Sequence, residues 1–277
     1  GIDVKNIEEL KTIANTLRRD IIEMSYVCGR AAHPGPALSC ADIVAALYFG
    51  VMNFDPAHYD APGRDRFILS KGHACPAQYA ALTELGLVSK TEYPKLRHPD
   101  AVLQGHPTYH KTPGVDMTAG SLGNGLGIGL GMAYHQKLTG EGGMVYVILG
   151  DGELNEGTVW EAVMCAPSLK TGNLVAIVDI NGFQSCGACE DILPTPDLKK
   201  IWSGFGWNVL ETDGHDMAQL IGALEQTKSG ADVPTVILAK TVKGKGVSFM
   251  ENNNAWHQHT LTEEQYIQAM KELEVVS

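Results

Sequence analysis

Val145-Tyr146-Val147-Ile148-Leu149 runs straight into Gly150-Asp151-Gly152-Glu153-Leu154-Asn155-Glu156-Gly157. After Thr158 to Ala166, a second apolar run, Leu174-Val175-Ala176-Ile177-Val178-Asp179-Ile180, leads to Asn181-Gly182-Phe183. The order is strand, loop, helix, strand. Uninterrupted β-branched runs mark strands buried on both faces, so the two are expected to be parallel neighbours joined by a right-handed crossover. Both then end at one edge of the sheet. Open α/β sheets bind ligands at that carboxyl edge, where Asp151 and Asn181 would stand side by side. Two oxygen donors without a thiolate favour Mg2+ or Ca2+, with water and phosphate oxygens completing the shell. A metal-diphosphate site is the first expectation.

Composition bounds the rest. A chain of 277 residues, 44% hydrophobic with 31 glycines, can bury the core of one large α/β domain. A formal net charge of -11 argues against nucleic acid or an anionic membrane as partner. No apolar run approaches the roughly 18 residues of a membrane span. The N-terminus, Gly1-Ile2-Asp3-Val4-Lys5, lacks the basic and apolar regions of a signal peptide, so a cytoplasmic location is expected. The six cysteines are scattered, as reduced thiols are. Cys186-Gly187-Ala188-Cys189 has no second CxxC or His pair to complete a zinc site and reads as a plain loop, near enough to Phe183 to make the site sensitive to oxidation.

Helical spacing of Ile7, Leu10, Ile13, Ala14, Leu17, Ile21 and Ile22 predicts an amphipathic helix over residues 6–27. His33-Pro34-Gly35-Pro36 then turns the chain, and Ser39 reads as the cap of a helix over 41–49. Arg66 to Leu69 is a short strand, and Ser70-Lys71-Gly72-His73 delivers His73 to the N-terminus of a helix, where free N–H groups favour an anion. His106 is likewise fixed between Gly105 and Pro107. The run Gly120-Ser121-Leu122-Gly123-Asn124-Gly125-Leu126-Gly127-Ile128-Gly129-Leu130-Gly131 weakens a helix by about 1 kcal/mol per glycine, so a retained helix implies something packed close against it. The glycines do not fit the dinucleotide pattern, and a Rossmann site is disfavoured. Strands at 207–211 and 235–240 flank a helix at 217–227, and Lys240, Lys243 and Lys245 with Gly244 and Gly246 suit an anion near the carboxyl edge. Thr262 starts a last helix after Trp256-His257.

Together, His33-Pro34-Gly35, Ser70-Lys71-Gly72-His73, Gly105-His106-Pro107, Gly120-Ser121-Leu122-Gly123, Gly150-Asp151-Gly152, Asn181 and Trp256-His257 resemble the N-terminal part of transketolase over nearly the whole chain. The resemblance implies an α/β, three-layer thiamine diphosphate-binding fold with a mostly parallel central sheet flanked by helices. It would occupy residues 1–277 as one domain, with a C-terminal extension from about residue 250. Asp151 and Asn181 would ligate Mg2+ or Ca2+ by side chains and Phe183 by its carbonyl. His73, Gly152 and His257 would hold the diphosphate, with Gly120, Ser121 and Leu122 near the diphosphate and aminopyrimidine. His33, His106 and His257 would line the donor-sugar channel and move protons, and Glu156 would couple two cofactor sites across a dimer.

The glutamate that activates the cofactor and the arginines that bind sugar phosphate belong, in that family, to domains the resemblance does not reach. It therefore implies a split enzyme. A partner chain with the pyrimidine-binding domain would complete an α2β2 assembly that moves a two-carbon ketol unit from a ketose phosphate to an aldose. Other readings are a component of a 2-oxoacid dehydrogenase or deoxyxylulose phosphate synthase type, or a non-catalytic cofactor-binding subunit. Ala31-Ala32 and Gln258-His259 depart from the family pattern beside residues assigned to the donor.

Overall fold

The computed structural model describes residues 5–184, 187–189 and 197–274. Strands β1 (Arg66–Leu69), β2 (Val145–Gly150) and β3 (Leu174–Ile180) are followed by a small antiparallel pair, β4 (Phe183–Gln184) and β5 (Gly187–Ala188), and then by β6 (Asn208–Asp213) and β7 (Thr235–Lys240). The main sheet has the order β1-β2-β3-β7-β6, and every pairing in it is parallel. Register places Gly150 beside Asp179 and Ile180 beside Lys240. The two apolar runs are thus neighbours that end together, as their β-branched character predicts.

The helices are α1 (Ile7–Val27), α2 (Pro34–Ser39), α3 (Ala41–Ala46), α4 (Cys75–Glu84), α5 (Asn124–Thr139), α6 (Gly157–Ser168), α7 (Leu198–Gly204), α8 (Met217–Gln226) and α9 (Glu263–Glu272). Asn6 and Glu9 form a capping box that starts α1, and Thr262 with Gln265 starts α9 in the same way. Because side chains alternate along a strand, each strand feeds two cores. Tyr146 and Ile148 of β2 join Leu17, Ile21 and Leu224 on one face, while Val145, Val147 and Leu149 join Leu126, Val163 and Trp202 on the other. Helix, sheet and helix are therefore stacked in three layers. Ala269 and Leu273 of the last helical segment belong to the first of these cores. Among the described residues, no helix is long and apolar enough to cross a membrane.

Two local expectations change. Ser39 caps nothing: it is the last residue of α2, fully buried, with its hydroxyl 2.9 Å from the Pro36 carbonyl and 2.5 Å from the Asp179 carboxylate. A short polar side chain is as useful to a buried carboxylate as to a helix end, and only the fold decides which it meets. The glycines of α5 also divide. A Cβ at Gly125 would stand 2.3 Å from Ser70 Oγ, and one at Gly129 would stand 2.6 Å from a Val147 methyl, so these two let α5 lie on its own sheet. At Gly127 and Gly131 a Cβ would meet nothing within 4 Å.

Asp20, in the middle of α1, is 2% exposed; its Oδ1 lies 3.0 Å from Lys90 Nζ, and its Oδ2 has no partner among the described residues. Burial, followed by the neighbouring Glu84 carboxyl, pushes its carboxyl up to about 8. The folded state therefore holds a proton that the unfolded chain releases near pH 4. That stabilisation is complete below the unfolded value and is lost as pH rises toward 8. Asp20→Asn should accordingly raise the melting temperature more at pH 9 than at pH 5, as measured by scanning calorimetry.

Candidate active site

At the carboxyl edge, Asp151 follows the last residue of β2 and Asn181 the last residue of β3. They face a cavity of about 130 Å3 also lined by Gly152, Phe183, His73, His257 and Leu122. Asp151 is 7% exposed, with Oδ1 accepting from the Gly152 amide (2.9 Å) and Oδ2 from the Gly182 amide (2.7 Å). Asn181 Oδ1 accepts from the Phe183 amide at 3.0 Å. Burial raises the Asp151 carboxyl above its ordinary range, with the charge of Asp179 adding to the effect. No cationic side chain bonds Asp151 directly among the described residues. A buried carboxylate of this kind, lining one cavity with the Asn181 amide and Phe183, fits a hard divalent cation that takes its remaining oxygens from a ligand.

The walls of the cavity are cationic. Lys71, 2% exposed, donates to the Pro36 carbonyl (2.9 Å) and pairs with the fully buried Asp179, which is also bonded by Ser39 and Thr241. Lys243, 1% exposed, reaches Asn254 Oδ1 and His257 Nδ1, each at 2.8 Å. Burial, then the charge of Lys71, pushes the Lys243 ammonium down to about 8. Burial alone would lower Lys71 too, but its pairing with Asp179 raises it, so Lys243 is the ammonium that an anion in the cavity would stabilise. The lysine cluster expected from the sequence is thereby sorted: Lys243 enters the cavity, whereas Lys240 is exposed and Lys245 lies outside it.

Three imidazoles gather over this floor. The ring centres of His33 and His73 are 5.4 Å apart, those of His33 and His257 are 5.6 Å apart, and those of His73 and His257 are 5.0 Å apart. Burial, then the Arg97 charge, pushes His33 down to about 4; burial, then Lys243, pushes His257 down to about 3. His73 is lowered well below its ordinary value by burial and then by Lys71. All three are neutral at pH 7, so each ring offers one donor and one acceptor. Because His257 Nδ1 accepts from Lys243, its proton sits on Nε2.

The other expected residues stand around this centre. His106 is exposed, its ring about 3.7 Å from where a Cβ of Gly120 would lie; burial and Arg97 lower it too. Gly120, at φ +152°, and Ser121 are exposed on the loop that carries Leu122 into the cavity. Glu156 is exposed at the start of α6, outside the cavity. Glu153, to which sequence reasoning gives no role, is 3% exposed and ties the site together. Its carboxylate accepts from Ser70 Oγ (2.6 Å), the Gly123 amide (2.7 Å) and the Gly150 amide (3.1 Å), joining the ends of β1 and β2 to the start of α5. Lys71 lies within the sequence motif that carries His73; nothing local distinguishes Glu153 from a surface acid.

The CxxC loop lies partly outside the described residues, which exclude Cys186. Cys189 is a buried free thiol, and burial together with the neighbouring Asp151 carboxylate pushes it up to about 12, so it stands beside the site as a protonated thiol. The two departures from the family pattern meet: the His259 amide donates to the Ala32 carbonyl at 3.0 Å in an antiparallel bridge, while Arg97 donates to the Ala31 carbonyl at 2.6 Å.

Residues 10–275 match the family described as transketolase, thiamine diphosphate binding domain. One of the subunits of an apulose-4-phosphate transketolase from Actinobacillus succinogenes is 39% identical over 266 residues, 96% of each chain. A 6-deoxy-6-sulfo-D-fructose transketolase subunit from a Clostridium species is 40% identical over the same share. Human transketolase is 38% identical over 98% of this chain and 43% of its own length. Among solved structures, the transketolases of Leishmania mexicana (TM-score 0.86, 28% identity) and Campylobacter jejuni (TM-score 0.85, 30% identity) superpose on 98% and 97% of the chain. The chain spans 42% and 43% of those two proteins.

Proposed function

The chain belongs to the transketolase thiamine diphosphate-binding domain family, and from that premise we propose that it is the diphosphate- and metal-binding subunit of a two-chain transketolase. In this reading the complex moves a two-carbon ketol unit from a ketose phosphate, or a related sugar with an acidic end, to an aldose. The observation that carries it is the cavity at the ends of β2 and β3, lined by the oxygen donors Asp151 and Asn181, buried Lys71 and Lys243, and the neutral imidazoles His73 and His257, with the His33 ring beside them.

Asp151, Asn181 and the Phe183 carbonyl would hold Mg2+ (or Ca2+). His73, Gly152, Lys71, Lys243 and His257 would hold the diphosphate, with Gly120 to Leu122 beside it. Thiamine diphosphate supplies, when bound, an electron sink for cleavage next to a carbonyl. The chain's own part is to place donor and acceptor groups around the reacting sugar. With His33 pushed to about 4, its neutral ring would accept a hydrogen bond from a sugar hydroxyl, while His257, pushed to about 3 and with Nδ1 held by Lys243, would offer its Nε2–H as a donor. His106 would work at the outer side of the same channel. Glu156, exposed at the start of α6, is the residue proposed to couple two cofactor sites across a dimer.

The partner is proposed to carry the pyrimidine-binding domain with its activating glutamate, in an α2β2 assembly located in the cytoplasm. Supporting this, relatives that this chain matches along 96% of their length are themselves named as single subunits of transketolases. The outward face of α5 also leaves Gly127, Ile128, Gly131 and Leu138 exposed, with open space over both glycines. Gly131→Arg should leave the melting temperature of the chain within a few degrees of wild type yet prevent assembly, as read by light scattering after size-exclusion chromatography.

Activity is the direct test. The chain alone should be inactive, and the complex with its partner, thiamine diphosphate and Mg2+ should transfer a two-carbon unit between sugars without decarboxylating pyruvate. Absence of transfer from a panel of ketose phosphates and sulfonated ketoses sinks the assignment.

A further inference from the structure

Lys243 sits on a turn that is gripped from below by three side chains the reaction does not touch. His215 follows β6, Asp42 lies in α3 and Arg18 in α1. Arg18 and Asp42 are 8% and 7% exposed, and the His215 side chain is 12% exposed. Arg18 makes a two-pronged pair with Asp42, and His215 Nδ1 lies 2.7 Å from Asp42 Oδ2. Burial alone would raise the Asp42 carboxyl, but the Arg18 charge and the His215 hydrogen bond outweigh it and hold it below the ordinary range.

Among the described residues, the two outward side-chain bonds of this cluster go to one turn. The Val242 amide donates to His215 Nε2 at 2.8 Å, and Arg18 Nε donates to the Lys245 carbonyl at 3.1 Å. The two anchors bracket Lys243. They also fix the ring chemistry: an Nε2 that accepts carries no proton, so the proton is on Nδ1 and points to Asp42. The same logic, a carboxylate choosing a tautomer so that the far nitrogen is free to accept, orients histidines in catalytic triads. Here the far nitrogen holds a backbone amide next to the ammonium that lies 2.8 Å from His257.

We propose that His215, seated on Asp42 and Arg18, is a positioning residue that sets the Val242–Lys245 turn and, through it, the Lys243–His257 contact that receives the diphosphate. The proposal rests on the reading of the cavity given above.

The test uses the full chain in complex with its partner and measures the affinity for thiamine diphosphate with Mg2+ by calorimetry. His215→Leu keeps the Arg18–Asp42 pair and should weaken binding about tenfold, the scale of one hydrogen bond involving a charged group. His215→Gln, whose carboxamide oxygen can accept from the Val242 amide, should recover most of that loss. In a Lys243→Met background the His215→Leu change should cost less than about twofold, because the turn then carries no ammonium to place. Equal losses in both backgrounds, or wild-type affinity for His215→Leu, overturn the proposal. So does a wild-type 15N spectrum with the His215 proton on Nε2, a readout that stands even if a variant fails to fold. Asp151→Ala measured alongside separates the two readings. Unchanged affinity there overturns the cavity assignment and this proposal with it, whereas lost affinity there with wild-type behaviour of His215→Leu overturns this proposal alone.

Discussion

Asp151→Ala is expected to remove Mg2+-dependent binding of thiamine diphosphate, lowering the affinity by more than the 10–100-fold that typically follows loss of an outer partner of a metal ligand, that is by more than about 100-fold. Two functions are lost with one carboxylate. In the proposed metal site, the change deletes the charged oxygen donor and leaves the Asn181 amide oxygen and the Phe183 carbonyl. It also frees the Gly152 and Gly182 amides, which the carboxylate holds at 2.9 and 2.7 Å, loosening the link between the chain ends that follow β2 and β3. Asp151→Asn separates these losses, because it keeps one acceptor oxygen and gives up the charge. Calorimetry with and without Mg2+ should find the Asn variant folded and still defective. A wild-type affinity in the Ala variant would falsify the metal assignment.

Asp179→Leu should have the largest effect on stability. The Asp179 carboxylate is fully buried and is bonded by Lys71, Ser39 and Thr241. Removing it strands a buried ammonium, a change that costs about 3–5 kcal/mol in comparable pairs. Replacing both partners is different in kind, since a well-packed apolar pair often matches a buried ion pair in stability. Urea unfolding of the chain should therefore show a large drop for Asp179→Leu and substantial recovery for the Lys71→Met/Asp179→Leu double variant. The double variant should nevertheless bind the diphosphate poorly, because one of the two ammonium groups proposed to hold it is gone. If the single variant unfolds within about 0.5 kcal/mol of wild type, as an ordinary surface change does, the pair is not a support of the fold.

What the sequence discloses follows from the range of the interactions involved. The β-branched runs before Asp151 and Asn181 are local and periodic, so strand type, burial and common edge can all be read without the structure. His33, His73 and His257 come from three distant segments, and only their Gly and Pro settings, taken as one pattern, suggest that they meet. Ser39 is 140 residues from Asp179, and the polar bond between them turns an expected helix cap into a buried ligand of a carboxylate. Lys243 sits among other lysines in the sequence, and its 1% exposure is imposed by the tertiary fold. Glu153 carries no signal of its own because its partners, Ser70, Gly123 and Gly150, are backbone or hydroxyl groups that any acid at that point would have to find in space. Sequence reasoning points to residues that the fold brings to one cavity and misses the buried groups that brace them.

The order of the strands has a consequence for how the protein is made. β7 is the last strand of the sheet in the chain yet lies inside it, paired with β3 on one side and β6 on the other. A ribosome must therefore deliver residue 240 before the sheet can close, and until then the nascent chain carries two unpaired edges of the kind that recruit other chains. Lys243 and His257 emerge later still. The proposed diphosphate pocket is thus a late product of synthesis, and chains that stop before Lys243 are expected to bind no cofactor.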